Sequence, residues 1–544
     1  ATSRASISVF VDASSSLAIA CCLCEVANAA LALSLGLWWG IGSLDFKKKS
    51  EKGGDSEFRM IPKKSLRALS QTKSATNSSS ASGKKIPVPL DGSMDTGAGQ
   101  EIAGEKILKF QSDAAYRKFL AGAPAGVVLD RIDGLRAVRV EDGEWLKLLS
   151  PSSQMELGKN YYVSLPEVPG EVKTMGDAFY RVVGGNILKL IGAEGVTEDS
   201  GKGVTVALLD TGLNSTKTDL GIEEGHGTAM ASLISGVGSA KGAAPGATVR
   251  GYQVLDGTGT GDSFTLAKAI YEAVDGGAKV VNMSLGSSGD CAVVREAVAY
   301  ALSKNIAVVA AAGNEAINRV AYPAAYDGVV AVGSVDGDPI NSQHLYFSNR
   351  GKAVDVVAPG FAVMADWPGG KMVEVSGTSA STAIVSGAIA ALMSKERGLT
   401  GRQAAELIVQ YANDTGARGV DDETGKGVVN LQRVFERNQR GIIDLATAGI
   451  VMDSVNGKVT VAFQNRGTET VNSPTFEITV GEQTRKFYPG SIAPGESLAE
   501  SVQFDPIRAK QEGGIGVGAN VEAPRGGDTR NKNDIWSGWF KISK

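Results

Sequence analysis

Three side chains in this sequence have the types and the order needed to act together on a carbonyl group: Asp210, His226 and Ser379. Asp210 ends the run VTVALLDTG, Val204 to Gly212, where alternating β-branched and apolar residues lead straight into Asp-Thr-Gly. That tripeptide serves two chemistries: a pair of aspartates can share one proton and activate water, or a single aspartate can orient a histidine that acts as base for a serine. The first requires two equivalent loops, each fed by a strand. Of the other two copies, Asp95 in MDTGAG sits in a polar, Gly-rich stretch and Asp414 in YANDTGA follows a helical pattern. Only Asp210 is delivered by a strand, so the second chemistry is favoured.

Its other two members lie downstream. His226, in EEGHGTAMASLISG, stands between glycines at the start of a small-residue helix, which leaves little bulk around the imidazole. Ser379, in EVSGTSASTAIVSGAIAALMS, follows Gly377 and Thr378 and opens a helix with apolar Ile384, Ala388, Ile389 and Leu392. A serine there can simply cap the helix. The same position also exposes the hydroxyl and offers the backbone N–H of residue 379 to a developing oxyanion. Asn314 occupies a Gly-Asn turn after IAVVAAA. The run GTGTG, Gly257 to Gly261, has no Gly-Lys-Ser/Thr after it and is not a phosphate loop.

These residues need a scaffold that ends strands and starts helices at one place. From Val204 to about Ile442, the apolar runs VTVALL, KVVNMSL, IAVVAAAG, GVVAVGSV and VDVVAP alternate with helical patterns such as SFTLAKAIYEAV and AVVREAVAYALSK. That spacing predicts a parallel sheet wrapped by helices, here over 201–442. Upstream, EKILKF, SDAAYRKFLAG, GVVLDRI and RAVRVED predict a small β-α-β-β unit over 104–150, followed by a connector over 151–200 that contains NYYVSLPEVPGEV. Residues 45–103 are rich in Lys, Ser, Gly and Thr and read as a disordered linker. Beyond Ile443, KVTVAFQNRG, TFEITV, SLAESVQF and IGVGANVE alternate with period two, which predicts an antiparallel β-sandwich over 443–544 with its own core. The expected fold class is therefore α/β, with a small α+β unit before the large domain and a β-sandwich after it.

Composition narrows the function. A net charge of −4 over 544 residues provides no basic field, so no nucleic-acid partner is expected. Two histidines, a cysteine cluster at Cys21, Cys22 and Cys24, and a lone Cys291 supply neither a disulfide framework nor a His/Cys metal centre. The segment 1–44 contains VANAALALSLGLWWGIGSL, Val26 to Leu44, an uncharged run long enough to span a bilayer. It suits a signal anchor, an uncleaved leader, or a lipidated leader using LAIAC up to Cys21. Lys47, Lys48 and Lys49 follow the span, which by the positive-inside tendency would hold the rest of the chain in the cytoplasm, and the topology stays open.

From about Gly201 to Val434 the chain resembles the subtilases. The matching stretches are ALLDTG at Asp210, GHGTAMAS at His226, AAPGA at Pro245, NMSLG at Ser284 to Gly286, AAAGNE at Asn314, YPAAYDGVVAVGS at Pro323, FSNRG at Ser348 and SGTSAS at Ser379. The resemblance implies a serine endopeptidase in which Ser379 is the nucleophile, His226 the base and then acid, and Asp210 the carboxylate that supports the imidazolium. It implies that Asn314 donates to the oxyanion and that Gly313, in the same turn, lines the substrate site. It also implies that an extended polypeptide substrate pairs between Ser284, Leu285 and Gly286 on one edge and Gly257, Gly259 and Gly261 on the other. Such enzymes are made as precursors, so the β-α-β-β unit is expected to be a prodomain that assists folding, inhibits, and is removed by self-cleavage. The sandwich resembles adhesion-type Ig-like modules. Export is expected, to the periplasm, the cell surface or the medium, with membrane anchorage by the apolar segment as an option.

Several departures from the family pattern bear on this. Only about sixteen residues separate Asp210 from His226, and the loop beyond His226 is short where relatives hold calcium. Asp219 in TDLG matches a calcium ligand but lacks its partners, so no cofactor is expected. Ala380 to Ile384 replace the usual Met-Ala-x-Pro-His, and His344 has no motif role. The alternative function is a catalytically silent, peptide-binding scaffold. A missing triad member would favour it, and none is missing.

Overall fold

The structure, a computed structural model, describes residues 100–149, 154–166, 180–213, 225–238, 240–524 and 527–542. The apolar segment 26–44, the cysteine cluster, most of the 45–103 stretch, Asp95 and Asp219 lie outside the described residues. Among those described, no helix is long and apolar enough to cross a membrane.

The N-terminal sheet is built from β1 (Glu101–Phe110), β2 (Val128–Ile132), β3 (Ala137–Glu141) and β4 (Met155–Ser164), with helix α1 (Asp113–Gly122) between the first two. Ser112 starts α1 by accepting from the Ala115 N–H, as a capping serine should. Alternation along β1 sends Leu108 and Phe110 toward α1, where they pack with Tyr116, Val138 and Val140. Ile107 points the other way, into a core shared with the large domain. The strand order β2-β3-β1-β4 shows that the segment expected to be a connector supplies a strand in its first part. Prolines and a glycine soon after Ser164 give this stretch the composition of a connector despite the alternation in MELGKNYYVS.

The large domain centres on six parallel strands: β5 (Thr205–Asp210), β6 (Thr248–Gln253), β8 (Val280–Met283), β9 (Ala307–Ala311), β10 (Val330–Val335) and β11 (Val356–Pro359). A short strand, β7 (Thr260–Asp262), lies outside this sheet. The order is β11-β10-β9-β8-β5-β6, and most of these strands are continuously apolar and buried because helices cover both faces. Helices α2 (His226–Ser235) and α5 (Thr378–Lys395) pack on one face with Val206, Leu208 and Val309. On the other face, α3 (Ser263–Asp275) and α4 (Ala292–Ser303) pack with Ala207, Leu209, Val281 and Val308. The α/β architecture read from the sequence, a parallel sheet wrapped by helices, is what forms.

The N-terminal sheet lies on α3 and α4. Ile107, Ile132, Leu135, Ala137, Tyr161 and Val163 join the same core as Phe264, Leu266 and Val293, and each Ile, Leu or Val side chain so buried contributes about 1.5–3 kcal/mol. Charge pairs rim the contact: Arg139 with Asp262 at 3.1 Å, Lys268 with Asp130 at 2.7 Å, and Lys109 with Glu296. Asp262 also caps α3 through the N–H groups of Phe264 and Thr265, so one carboxylate starts the helix and holds the sheet. Beyond Asp444, a sheet of three strands in the order Leu445–Asp453, Lys458–Asn465, Ser497–Gln503 and a sheet of four in the order Gln483–Phe487, Thr475–Val480, Gly514–Glu522, Ile535–Lys541 enclose a separate core around Phe463, Phe476, Ile478 and Val502. This sandwich meets the large domain through polar groups. The Gln464 side chain accepts from the Asp414 N–H at 3.0 Å, and Asn341 accepts from the Ile450 N–H at 3.0 Å.

Candidate active site

The carboxyl ends of the adjacent strands β5, β8 and β9 carry Asp210, Ser284 and the turn with Asn314, the edge of an open α/β sheet where crevices form. Asp210, the last residue of β5, is fully buried. Its Oδ1 accepts from the Thr211 N–H at 2.7 Å and from the Thr211 hydroxyl at 3.2 Å, and both carboxylate oxygens lie 2.9 Å from His226 Nδ1. An ionised carboxylate can only accept, so Nδ1 carries the proton and Nε2 keeps its lone pair. Thr211 Oγ1 in turn accepts from the Gly227 N–H at 3.1 Å and ties the strand end to the helix start. A Cβ at Gly227 would lie 2.3 Å from the Gly212 carbonyl, which is why α2 can begin this close to the carboxylate only with glycine there.

Ser379 is the second residue of α5 and is 6% exposed. A buried polar relay fixes its backbone. Ser386 donates to Asn282 Oδ1 at 2.8 Å, Asn282 donates to Ser284 Oγ at 3.0 Å, and Ser284 donates to the Ser379 carbonyl at 3.0 Å. The Ser379 hydroxyl donates to the Ser284 carbonyl at 3.1 Å. Among the described residues no hydrogen bond joins it to His226. The structure thus brings Asp210 and His226 together and sets Ser379 on the neighbouring helix with its hydroxyl turned toward β8.

Asn314 is buried at 1% exposure in the turn after β9. Its Oδ1 accepts from both the N–H and the hydroxyl of Thr378, at 3.0 and 2.9 Å, which turns Nδ2 into the cleft. There Nδ2 donates to the carbonyl of Pro166 at 2.9 Å. Gly313 has φ +107°, a conformation that favours glycine, and its N–H donates to Thr378 Oγ1 at 3.3 Å. Asn349 braces the far side by donating to Glu315 at 2.6 Å, and burial holds the Glu315 carboxyl above the usual range.

The end of β4 occupies the cleft. Ser164 exchanges two backbone bonds with Gly286, each 2.9 Å, while Leu165 N–H donates to Gly259 O at 3.0 Å and Val163 lies opposite Gly261. Residues 162–165 are therefore an added strand between Thr260–Asp262 and Ser284–Gly286. Leu285 is buried beneath this strand in the main core. Gly257 lies in the turn organised by Asp256, whose Oδ1 accepts from the N–H groups of Thr258 and Thr260, and it makes no backbone bond to the tail among the described residues.

Sequence reasoning overlooked Thr211, Thr378, Asn282 and Ser386. A signal existed for each: the two threonines sit inside the quoted motifs, Asn282 begins NMSLG, and Ser386 follows Ser379 by two helical turns. Asp414 is buried in contact with the sandwich, and its Oδ2 accepts from the Gly419 N–H at 2.9 Å, in a setting unlike that of Asp210. His344, which has no motif role, is buried beside Arg350, and burial lowers its pKa to about 3. Among the described residues, no group of three His, Cys, Asp or Glu side chains is placed to hold a metal ion.

Comparison with known proteins gives the family. Residues 201–427 match the family model of the Subtilase family. Subtilisin Savinase from Lederbergia lenta is 34% identical over 251 residues, covering 43% of this chain and 91% of the relative. The chain belongs to the subtilase family. An alkaline protease from Alkalihalobacillus alcalophilus is 32% identical over 360 residues, 62% of this chain and 92% of its own length. Subtilisin E from Bacillus subtilis (strain 168) is 33% identical over 256 residues, 43% of this subtilase and 66% of the relative. As a subtilase of this kind, the chain is a serine endopeptidase.

Proposed function

We propose that this subtilase cleaves peptide bonds through Ser379, His226 and Asp210, assisted by Asn314, and that its first substrate is its own N-terminal unit. The observation that carries this reading is the tail of β4, paired on both edges like an extended substrate with its Pro166 carbonyl 2.9 Å from Asn314 Nδ2. The chemistry follows from the donors present. Ser379 rotates from the Ser284 carbonyl and its proton passes to His226 Nε2, while Oγ bonds to the carbonyl carbon of the substrate. The charge that develops on the carbonyl oxygen is met by Asn314 Nδ2 and the Ser379 N–H. Asp210, holding Nδ1–H, stabilises the imidazolium. His226 then gives the proton to the leaving amine as the C–N bond breaks, and water releases the acyl group by the same steps.

Residues 101–166 are on this reading a prodomain, and the bond between Pro166 and Glu167 is the one cut during maturation. The product acid stays in the cleft until the prodomain dissociates. Export of the enzyme belongs to the same proposal, supported by the apolar run before Asp45, and the C-terminal sandwich is an appended Ig-like module. The deciding experiment is labelling with a fluorophosphonate, which reacts with an activated serine. The mature wild type should take up one label, on Ser379, and Ser379→Ala none. No label on an intact, mature chain would favour the silent scaffold, and equal labelling of the variant would move the nucleophile elsewhere.

A further inference from the structure

We propose that Pro166 is a brake on maturation: a proline at the cleaved position leaves the Ser284 carbonyl without its substrate partner, and the nucleophile hydroxyl is held there instead. The inference rests on the reading that the chain cuts itself after residue 166. In an antiparallel pair, residues that exchange two hydrogen bonds recur every second position. Ser164 and Gly286 are such a pair, with both bonds at 2.9 Å. Two residues on in the tail and two back on the edge, the next such pair is residue 166 with Ser284. Any residue but proline would direct its N–H at the Ser284 carbonyl there. Proline has no N–H to give.

The acceptor is not left idle. Ser379 Oγ donates to that same carbonyl at 3.1 Å, while His226 Nδ1 is already held by Asp210. A hydroxyl donates only one proton, so a serine bonded to Ser284 is not passing its proton to His226. The cleavage step is the acyl transfer described above: Oγ–C forms, the bond from the Pro166 carbonyl carbon to the Glu167 nitrogen breaks, and the serine proton reaches that nitrogen by way of His226. Proline slows it in two ways. It removes one of the backbone bonds that align the tail, and it frees an acceptor that competes for the serine proton. An N–H from residue 166 would fill the Ser284 carbonyl and turn the hydroxyl toward His226. The brake gives the N-terminal sheet and the large domain time to fold together before they are severed.

The test compares purified full-length precursors of wild type, Pro166→Ala and Ser379→Ala, following the rate at which a fragment beginning at Glu167 appears. Wild type should process slowly, Pro166→Ala roughly 3–10-fold faster, and Ser379→Ala not at all. A second measurement guards against misfolding of the altered precursor. A peptide of residues 160–169 and its Pro166→Ala counterpart are given to the mature enzyme, and the altered peptide should be cut faster by a similar factor. Equal or slower cleavage of the altered peptide, or of a folded Pro166→Ala precursor, overturns the brake while self-cleavage stands. A new N-terminus other than Glu167 also overturns it. Processing of Ser379→Ala at the wild-type rate refutes self-cleavage itself, and the brake falls with it.

Discussion

Replacing Asn314 by alanine should cost catalysis far more than binding. The Asn314 amide presents one N–H donor to the carbonyl of residue 166 at 2.9 Å, and it is aimed before substrate arrives because Thr378 holds its other end by two bonds. Toward a neutral carbonyl such a bond is worth about 1 kcal/mol net, so KM should rise no more than about fivefold. Toward an oxyanion in a water-poor site the same donor is worth about 2.7–4 kcal/mol, and kcat should fall by about 10²–10³. Thr378→Val removes the hydroxyl that accepts from Gly313 and donates to Asn314 Oδ1, leaving the Thr378 N–H to orient the amide. It should lower kcat roughly 3–10-fold. The double variant is the sharper test. Once the amide is gone there is nothing for Thr378 to aim, so the double variant should match Asn314→Ala and not multiply the two losses. The assay is steady-state hydrolysis of a small chromogenic peptide by matured enzyme, with active sites counted by titration. A full kcat in Asn314→Ala would refute the assignment, and strict additivity would refute the claim that Thr378 acts through Asn314.

Two further outcomes follow from buried groups outside the site. His344 is buried, its Nε2 has no hydrogen-bond partner among the described residues, and its pKa is lowered from 6.5 to about 3 by burial first and by Arg350 second. A histidine whose folded pKa is depressed binds its proton more readily when unfolded, so its contribution is intact above pH 6.5 and is lost toward pH 3, at about 1.4 kcal/mol per pH unit. In a Ser379→Ala background that prevents autolysis, denaturant titrations at pH 6.5 and 4.5 should therefore show His344→Gln losing less stability on acidification by about 2 kcal/mol, and parallel losses would remove His344 from the account. Cys291 is 3% exposed, and its sulfur lies 3.7 Å from the Lys159 carbonyl of β4. With Cys21, Cys22 and Cys24 changed to serine, a thiol reagent should modify Cys291 roughly tenfold faster or more in mature enzyme freed of residues 101–166 than in the Ser379→Ala precursor; equal rates would mean that β4 does not shield it.

The fold class was legible because its signals are local and repeated. Apolar runs such as VTVALL and IAVVAAA end at Asp210 and just before Asn314, and they form β5 and β9 with helical patterns between them. Strand β4 was harder to see, because its pairing partner β1 lies some fifty residues upstream and Gly158 interrupts the alternation in MELGKNYYVS. Within the site, the order Asp210, His226, Ser379 can be read along the chain, but the relay from Ser386 through Asn282 to Ser284 cannot. Its members are distant in sequence and meet only when α5 packs across β8. The burial of His344 was illegible for a similar reason. NSQHLYFSN is polar by composition, yet the bridge from Val335 to His344 draws it into the core.

On the proposed function, the cleft recognises chain more than side chain, which would let one groove serve as both substrate site and lock. Its bonds to the tail are made mostly by backbone groups of Gly259, Gly286 and the strand Thr260–Asp262, joined by the Ser287 hydroxyl, which donates to the Tyr162 carbonyl at 2.8 Å, and by one amide of Asn314, so an extended segment delivered in the right register can be held. What makes residues 162–166 first among all such segments is delivery. They continue β4, which is fixed on α3 by Asn160, whose Oδ1 accepts from the Phe264 N–H at 3.1 Å and whose Nδ2 donates to Asp262 at 3.1 Å. On that reading the tail meets the groove at high effective concentration and would compete with free substrate even after its bond is cut. Weakening that anchorage should release the lock without touching the groove: Asn160→Ala, which leaves the Asp262 cap on Phe264 N–H in place, is expected to shorten the lag before full activity appears during maturation. An unchanged lag would mean that the tail is held by the cleft alone.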